Sequence, residues 1–159
     1  MEIRPASQDD VPGLVDLWIE FMDYHTALDP SFVRSPDAAK NWTAYVTEKI
    51  SDEKFRIIVA VDEGRLVGNL VATLKEYPPV FTLKNYGFVQ EIAVNYAYRR
   101  KGVGRRLYDA AEEWLLSAGV SRIQINVDSD NEASRGFWNA VGFGPHTETL
   151  IKKFGSTGQ

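Results

Sequence analysis

Between Phe88 and Leu107 the chain runs Phe88-Val89-Gln90-Glu91-Ile92-Ala93-Val94-Asn95-Tyr96-Ala97-Tyr98-Arg99-Arg100-Lys101-Gly102-Val103-Gly104-Arg105-Arg106-Leu107. The first half is apolar and strand-like; the second is a basic glycine loop that opens a helix. Gly102 and Gly104 let the main chain approach a ligand closely and turn several N–H groups toward it. A helix N-terminus adds partial positive charge, and Arg99, Arg100, Lys101, Arg105 and Arg106 add full charges. The chemistry these residue types suit is phosphate binding, made mainly by backbone. No Gly-Lys-Ser/Thr follows, so this is not a Walker loop, and Arg105-Arg106-Leu107 after Gly104 breaks the dinucleotide fingerprint. Taken alone, six such residues also read as a basic helix cap on a solvated face.

Two groups of the chain are candidates to exchange a proton around neutrality. Glu91 is the carboxylate within the strand, and apolar surroundings would raise its pKa. Strict alternation turns Glu91 away from the face of Gln90, whereas a bulge would reverse that. On the opposite face its role is a salt bridge or hydrogen bond under the sheet. His25 is the reserve, because an imidazole titrates in the right range.

The elements that must position these groups follow from periodicity. Glu2-Ile3-Arg4 is a short strand ended by Pro5. A helix starts near Asp9, with Pro12 in its first turn and Val11, Leu14, Val15, Trp18 and Met22 at helical spacing. A second helix follows Ser35-Pro36-Asp37 and carries Trp42, Tyr45, Val46 and Ile50 on one face. Strands are expected over 55–61, 66–74, 86–94 and 123–127, with a hairpin turn at Asp62-Glu63-Gly64-Arg65. Gly68 inside its strand signals a bulge or a close backbone approach. A helix over 102–118 turns Val103, Leu107, Ala111, Trp114 and Leu115 inward. Ser129-Asp130-Asn131-Glu132 reads as a capping box for a short helix holding Ala133, Phe137, Trp138 and Val141. Phe143 and Thr147–Ile151 read as final strand segments. Residues 1–154 form one domain, and 155–159 an unstructured tail.

Composition narrows the function. A chain of 159 residues with 44% hydrophobic and 25% charged side chains is of globular type. Its net charge of −4 speaks against a general nucleic-acid binder and makes the local basic loop stand out. The absence of Cys excludes disulfides, thiolate metal sites and a Cys nucleophile, and two His are too few for a His-rich metal centre. Met1-Glu2-Ile3-Arg4-Pro5 has no apolar signal region and no apolar run reaches a membrane span, so the expectation is a cytoplasmic protein without a membrane partner.

Arg99-Arg100-Lys101-Gly102-Val103-Gly104 matches Arg/Gln-x-x-Gly-x-Gly/Ala and resembles the pyrophosphate loop of the GNAT superfamily of acyl-CoA N-acyltransferases. Asn131-Glu132-Ala133-Ser134-Arg135-Gly136-Phe137-Trp138-Asn139-Ala140-Val141-Gly142-Phe143 resembles that family's Asn-x-x-Ala…Phe-Tyr-x-x-x-Gly-Phe segment. The element order β-α-α-β-β-β-α-β-α-β is also the family's, so the resemblance spans nearly the whole chain. It implies a GNAT α/β fold: a mixed, mostly antiparallel sheet, helices on both faces, and a splayed parallel strand pair forming the acyl-CoA cleft.

What the resemblance implies for the site is specific. Acetyl-CoA is the expected co-substrate, with no metal. Its pantetheine pairs with the backbone of Ile92, Ala93 and Val94, and its pyrophosphate with the loop of Arg99, Arg100, Lys101, Gly102, Val103, Gly104 and Arg105. Asn131, Ala133, Ser134 and Phe137 complete the cofactor site, although Asn131 also reads as a helix cap and Phe137 as core. Tyr24, Gln90 and Trp138 fall on the acceptor side. Two positions depart from the family pattern. Gln90 stands where many members carry the basic Glu, and Trp138 where the acidic Tyr is usual. Neither replacement does the original chemistry, which leaves Glu91 and His25 as candidate bases. The implied activity is N-acetyl transfer to a primary amine of a small molecule or peptide. The alternatives are an acyl-CoA-binding module without transfer, and an acyltransferase with another acyl group or a hydroxyl acceptor. Family members commonly pair through C-terminal strands, so a homodimer is expected. The acceptor region offers His25, Phe32, Trp42, Tyr77, Phe81 and Tyr86, with Glu20, Asp23 and Glu76 able to attract a cation.

Overall fold

The computed structural model describes residues 1–155, which fall into two units, 1–126 and 127 onward. The first contains five strands in the order β1-β2-β3-β4-β5: β1 (Glu2–Pro5), β2 (Phe55–Asp62), β3 (Arg65–Glu76), β4 (Asn85–Val94) and β5 (Ile123–Ile125). The first four are antiparallel neighbours, and β5 runs parallel to β4. Three helices complete this unit: α1 (Val11–Leu28), α2 (Ala38–Ile50) and α3 (Val103–Ser117). The mixed sheet expected from the sequence is therefore formed.

Each face has its own core. Leu14 and Trp18 of α1, Trp42 and Val46 of α2, and Ile57, Val59 and Val71 of the sheet form one buried cluster. Trp18 and Trp42 stack with ring centroids 5.3 Å apart. Trp42, counted among acceptor-side aromatics, is thus core. On the other face α3 buries Val103, Leu107, Tyr108, Ala111 and Leu115. Trp114 was expected inward as well; it is half-buried and lies beneath the Arg56 guanidinium, 5.3 Å from its ring.

Both readings of Gly68 hold. The register slips between Ala60/Gly68 and Val61/Leu66, which leaves Val67 unpaired as a bulge. A side-chain carbon on Gly68 would sit 3.1 Å from the Ala93 carbonyl oxygen and 3.2 Å from Leu107 Cδ1. The β2–β3 turn places Glu63 at φ 48° and Gly64 at φ 76°, as a tight two-residue hairpin requires.

Asp10 fixes the start of α1 to the sheet edge. Its carboxylate accepts from Arg4 at 2.7 and 2.9 Å and from the Ser7 backbone N–H at 2.7 Å. The Arg4 hydrogen bonds, chiefly, hold its pKa at about 2.

The second unit holds α4 (Glu132–Ala140), ended by Gly142 at φ 103°. Residues 143–154 form no strand, which corrects the expectation at Phe143 and Thr147–Ile151. The segment has β-branched Thr147, Thr149 and Ile151 at alternate positions, but among the described residues no strand pairs with it, so its backbone is not drawn into a ladder. Strand β5 is also shorter than the expected 123–127. Of the expected tail, 156–159 lies outside the described residues.

Two predictions follow. Gly68→Val should cost roughly 1–3 kcal/mol by overpacking against a backbone oxygen and α3; a denaturation midpoint equal to the parent's would contradict the close approach. Asp10 is nearly fully buried and its folded pKa lies below its ordinary value of about 3.9. Its contribution is therefore present above pH 4 and lost as pH falls toward 2. Asp10→Asn should lose about 2 kcal/mol at pH 7, with the difference shrinking between pH 4 and pH 2 in urea melts.

Candidate active site

Strand β4 carries one residue too many for its partner. Val71 faces Glu91 and Ala72 faces Val89, so Gln90 is left without a partner on β3. This is a β-bulge, and it resolves which way Glu91 points. Side chains opposite each other across a ladder share a face. Glu91 thus joins Val71, Val59 and Ile57 on the face covered by α1 and α2, while Val89 stays with Ala72 on the α3 face. Without the extra residue Glu91 would project toward α3.

There Glu91 is 7% exposed. Its Oε1 accepts from Asn69 Nδ2 at 3.3 Å. Burial disfavours the charged form and lifts the pKa to about 7, against the smaller opposing effect of the Asn69 amide. Gln90 is exposed instead, and its Oε1 accepts from the Tyr45 hydroxyl at 2.9 Å, tying β4 to α2.

Beyond the bulge β4 has an open edge. It pairs with β5 only at Gly87–Ile123, Phe88–Gln124 and Val89–Ile125. Residues Gln90 to Val94 therefore carry no β5 ladder, and the pairing of the two parallel strands ends at the bulge. Gly87 is held close to α3: a Cβ there would lie 2.8 Å from Leu115 side-chain carbons. Ile92, Ala93 and Val94, expected to meet the pantetheine, all lie on the open stretch.

The basic loop follows directly. A short 3-10 turn, Tyr96–Tyr98, is capped by the Asn95 side chain, which accepts from the Ala97 N–H at 3.1 Å. Arg100 has φ 61° and Gly102 φ 80°, so the chain reverses through two left-handed residues into α3. A non-glycine at positive φ is a strained position of the kind found at binding sites. Gly102 caps α3 and has no side chain to satisfy the first-turn amides of Val103, Gly104 and Arg105. Arg100 and Lys101 are exposed and, among the described residues, pair with no carboxylate. These features suit an anion at the helix N-terminus.

Other basic side chains are committed. Arg99 Nε donates to the Val94 carbonyl at 3.0 Å, its Nη2 lies 3.7 Å from Glu20, and its guanidinium lies over Tyr24 and Tyr96. Arg105 is bound to Asp109 at 2.8 Å. Glu20 also accepts from the Tyr96 N–H at 2.9 Å and from Asn95 Nδ2 at 3.2 Å, so it braces the loop rather than standing open to a cationic acceptor.

Tyr24 and His25 are neighbours on α1; the His25 ring packs on Phe21 at 4.4 Å and meets Tyr24 edge-on at 5.7 Å. Asp23 is engaged by Arg34 at 2.9 Å, and Tyr77 packs with Phe81 and Tyr86 at the β3–β4 connection.

In the second unit, Asn131 caps α4 by accepting from the Ser134 N–H at 3.1 Å, so the cap is Asn131 and not a box from Ser129. Ala133 is exposed, and Trp138 packs against Phe137 and Phe143 with centroids 4.8 and 5.2 Å away. The residue that sequence reasoning missed is Asn69. Its signal was available: it is the polar residue inside Leu66-Val67-Gly68-Asn69-Leu70-Val71-Ala72.

The chain is similar to known proteins in both sequence and fold. A model of the acetyltransferase (GNAT) family matches residues 15–143. An N-acetyltransferase of Archaeoglobus fulgidus, named as uncharacterized, is 29% identical over 138 residues, covering 87% of this chain and 89% of that one. A mutant of the BH1408 protein from Bacillus halodurans superposes with a TM-score of 0.88 at 21% identity, covering 97% of this chain and 99% of that one. The aminoglycoside N-acetyltransferase AAC(6')-Iy, solved in complex with CoA, superposes with a TM-score of 0.72 at 16% identity, covering 98% and 100%. At these identities the superpositions speak for the fold, while the family match extends over most of the sequence and includes both motifs. The chain belongs to the GNAT family of acetyltransferases.

Proposed function

We propose that this protein transfers an acetyl group from acetyl-CoA to a primary amine of a small molecule or peptide, with Glu91 as the base. One observation carries the reading: a buried carboxyl that titrates at about 7 lies beside the unpaired edge of β4. The CoA bound to the aminoglycoside acetyltransferase of the same fold supports the donor. Acetyl-CoA supplies an activated thioester carbonyl. The chain's own residues do the rest. Amides of Ile92 to Val94 align the donor along the open edge, and the Arg100-to-Arg105 turn holds its pyrophosphate.

An alkylamine with a pKa of about 10 arrives protonated. Glu91 takes its proton, through water, and the freed nitrogen bonds to the acetyl carbon as the C–S bond breaks. The thiolate leaves and takes up, through water, the second proton that the attacking nitrogen must lose to become an amide, since Trp138 offers only an indole N–H. A carboxyl near neutrality is half ionised at working pH, so it both accepts the proton and later releases it. Tyr24 and Gln90 line the acceptor side, and the assembly is a homodimer in the cytoplasm. A second reading, an acyl-CoA-binding module without transfer, draws on Gln90 and Trp138 at the usual acid–base positions.

Thiol release that depends on an added amine supports transfer; acetyl-CoA binding without release from any of a broad amine panel supports the module. Under the transfer reading, Glu91→Gln should flatten the acidic limb of the pH–rate profile, centred near 7, and cost roughly 10²-fold or more in rate. His25→Gln should keep that limb; loss of the limb there and not in Glu91→Gln would move the base to α1. Gly104→Val should weaken acetyl-CoA binding by calorimetry while the protein stays folded, because a branched side chain then stands over the first-turn amides. Unchanged affinity would remove the loop from the donor site.

A further inference from the structure

We propose that Asn69 is the positioning residue for Glu91, serving its two protonation states with the two ends of one amide. The inference rests on the reading of Glu91 as the base. Asn69 is fully buried, in a strand whose neighbours are apolar. It lies diagonally across the ladder from Glu91, since Asn69 pairs with Ala93 and Val71 with Glu91. Its Nδ2 donates to Glu91 Oε1 at 3.3 Å. Its Oδ1 is buried and has no hydrogen-bond partner.

An orphaned amide oxygen in a core is costly, and a leucine would fill the space without that cost. The orphan has a use once Glu91 is protonated. A carboxylate accepts only, whereas a carboxylic acid also donates one O–H. Half a turn about the amide's terminal bond exchanges Nδ2 for Oδ1 and gives the acid an acceptor. One residue then meets the carboxyl before and after it takes a proton, without drawing in a charge.

No charge does this work instead. Of the titratable groups on the elements covering this face, Tyr45 of α2 is bound to Gln90, and Lys49 lies over the Tyr45 and Phe55 rings. On α1, Glu20 is bound to Asn95, Tyr96 and Arg99, and His25 packs on Phe21 and Tyr24. None of them contributes to the shift at Glu91, whose causes are burial and the Asn69 amide.

The test follows the Glu91 carboxyl carbon by NMR in protein labelled with 13C-glutamate, the resonance being assigned by its loss in Glu91→Gln. Titrations compare the parent with Asn69→Leu and Asn69→Val. Both variants remove the amide without adding a charge, and its bond to the charged carboxylate is stronger than its bond to the neutral acid, so the midpoint should rise by roughly half a pH unit or more above the parent's. The smaller Asn69→Val keeps the test decisive if the leucine variant fails to fold. The acidic limb of the pH–rate profile should move by the same amount. An unmoved midpoint overturns the role of Asn69, even if Glu91→Gln abolishes the limb. A midpoint that moves while the limb stays in place supports the Asn69–Glu91 link and overturns Glu91 as the base.

Discussion

The site turns on one extra residue in a strand. Gln90 has no partner on β3, and every β4 side chain after it is displaced to the face opposite the one simple alternation gives. A slip of one position in a ladder exchanges the faces of all following residues. Here the exchange takes Glu91 from beneath α3 to the space under α1 and α2, and it puts Ala93 beside Asn69. The same position is where pairing to β5 stops. A bulge is thus both the device that aims the carboxyl and the point where the backbone of β4 becomes available.

Charge is kept away from this place and concentrated beside it. The core under α1 and α2 is built of Leu14, Trp18, Trp42, Val46, Ile57, Val59 and Val71; Glu91, Asn69 and Thr73 are the buried polar residues of the sheet it covers, and Asn69 donates to Glu91. A carboxyl held among such neighbours loses hydration and keeps its proton to higher pH. At the end of β4 the situation reverses. Glu20 gathers Arg99, Asn95 and the Tyr96 amide into one knot, which frees Arg100, Lys101 and the uncapped start of α3 to face an anion. The buried carboxyl and the positively charged turn thereby sit on one continuous stretch of chain.

Most of this scaffold was legible in the sequence, because periodicity and turn chemistry are local. Leu14 and Trp18 at helical spacing, Glu63-Gly64 between two apolar strands, and Gly102 before α3 each announce their conformation through their own neighbours. What could not be read depends on partners distant in sequence. Gln90 is an ordinary strand residue, and only the register of β3 makes it the unpaired one. The left-handed Arg100 has no glycine to mark it. Thr147, Thr149 and Ile151 are β-branched at alternate positions, yet pairing and not propensity makes a strand. Asn69 was readable as an anomaly but not as a partner for a residue on the next strand.

Burial holds the Glu91 carboxyl protonated well above the ordinary carboxyl range. Its folded pKa, at about 7, exceeds the unfolded value of about 4.3, so the contribution to stability is full below that lower value and is lost as pH rises through 7. The most direct measurement is the unfolding free energy of the parent and of Glu91→Gln between pH 4 and pH 9. The parent's stability relative to the variant should decline steadily from about pH 4.5 to pH 7 and change little further once the folded carboxyl is ionised. A difference that stays constant across the whole range would show an ordinary exposed carboxylate and contradict the bulge-directed site.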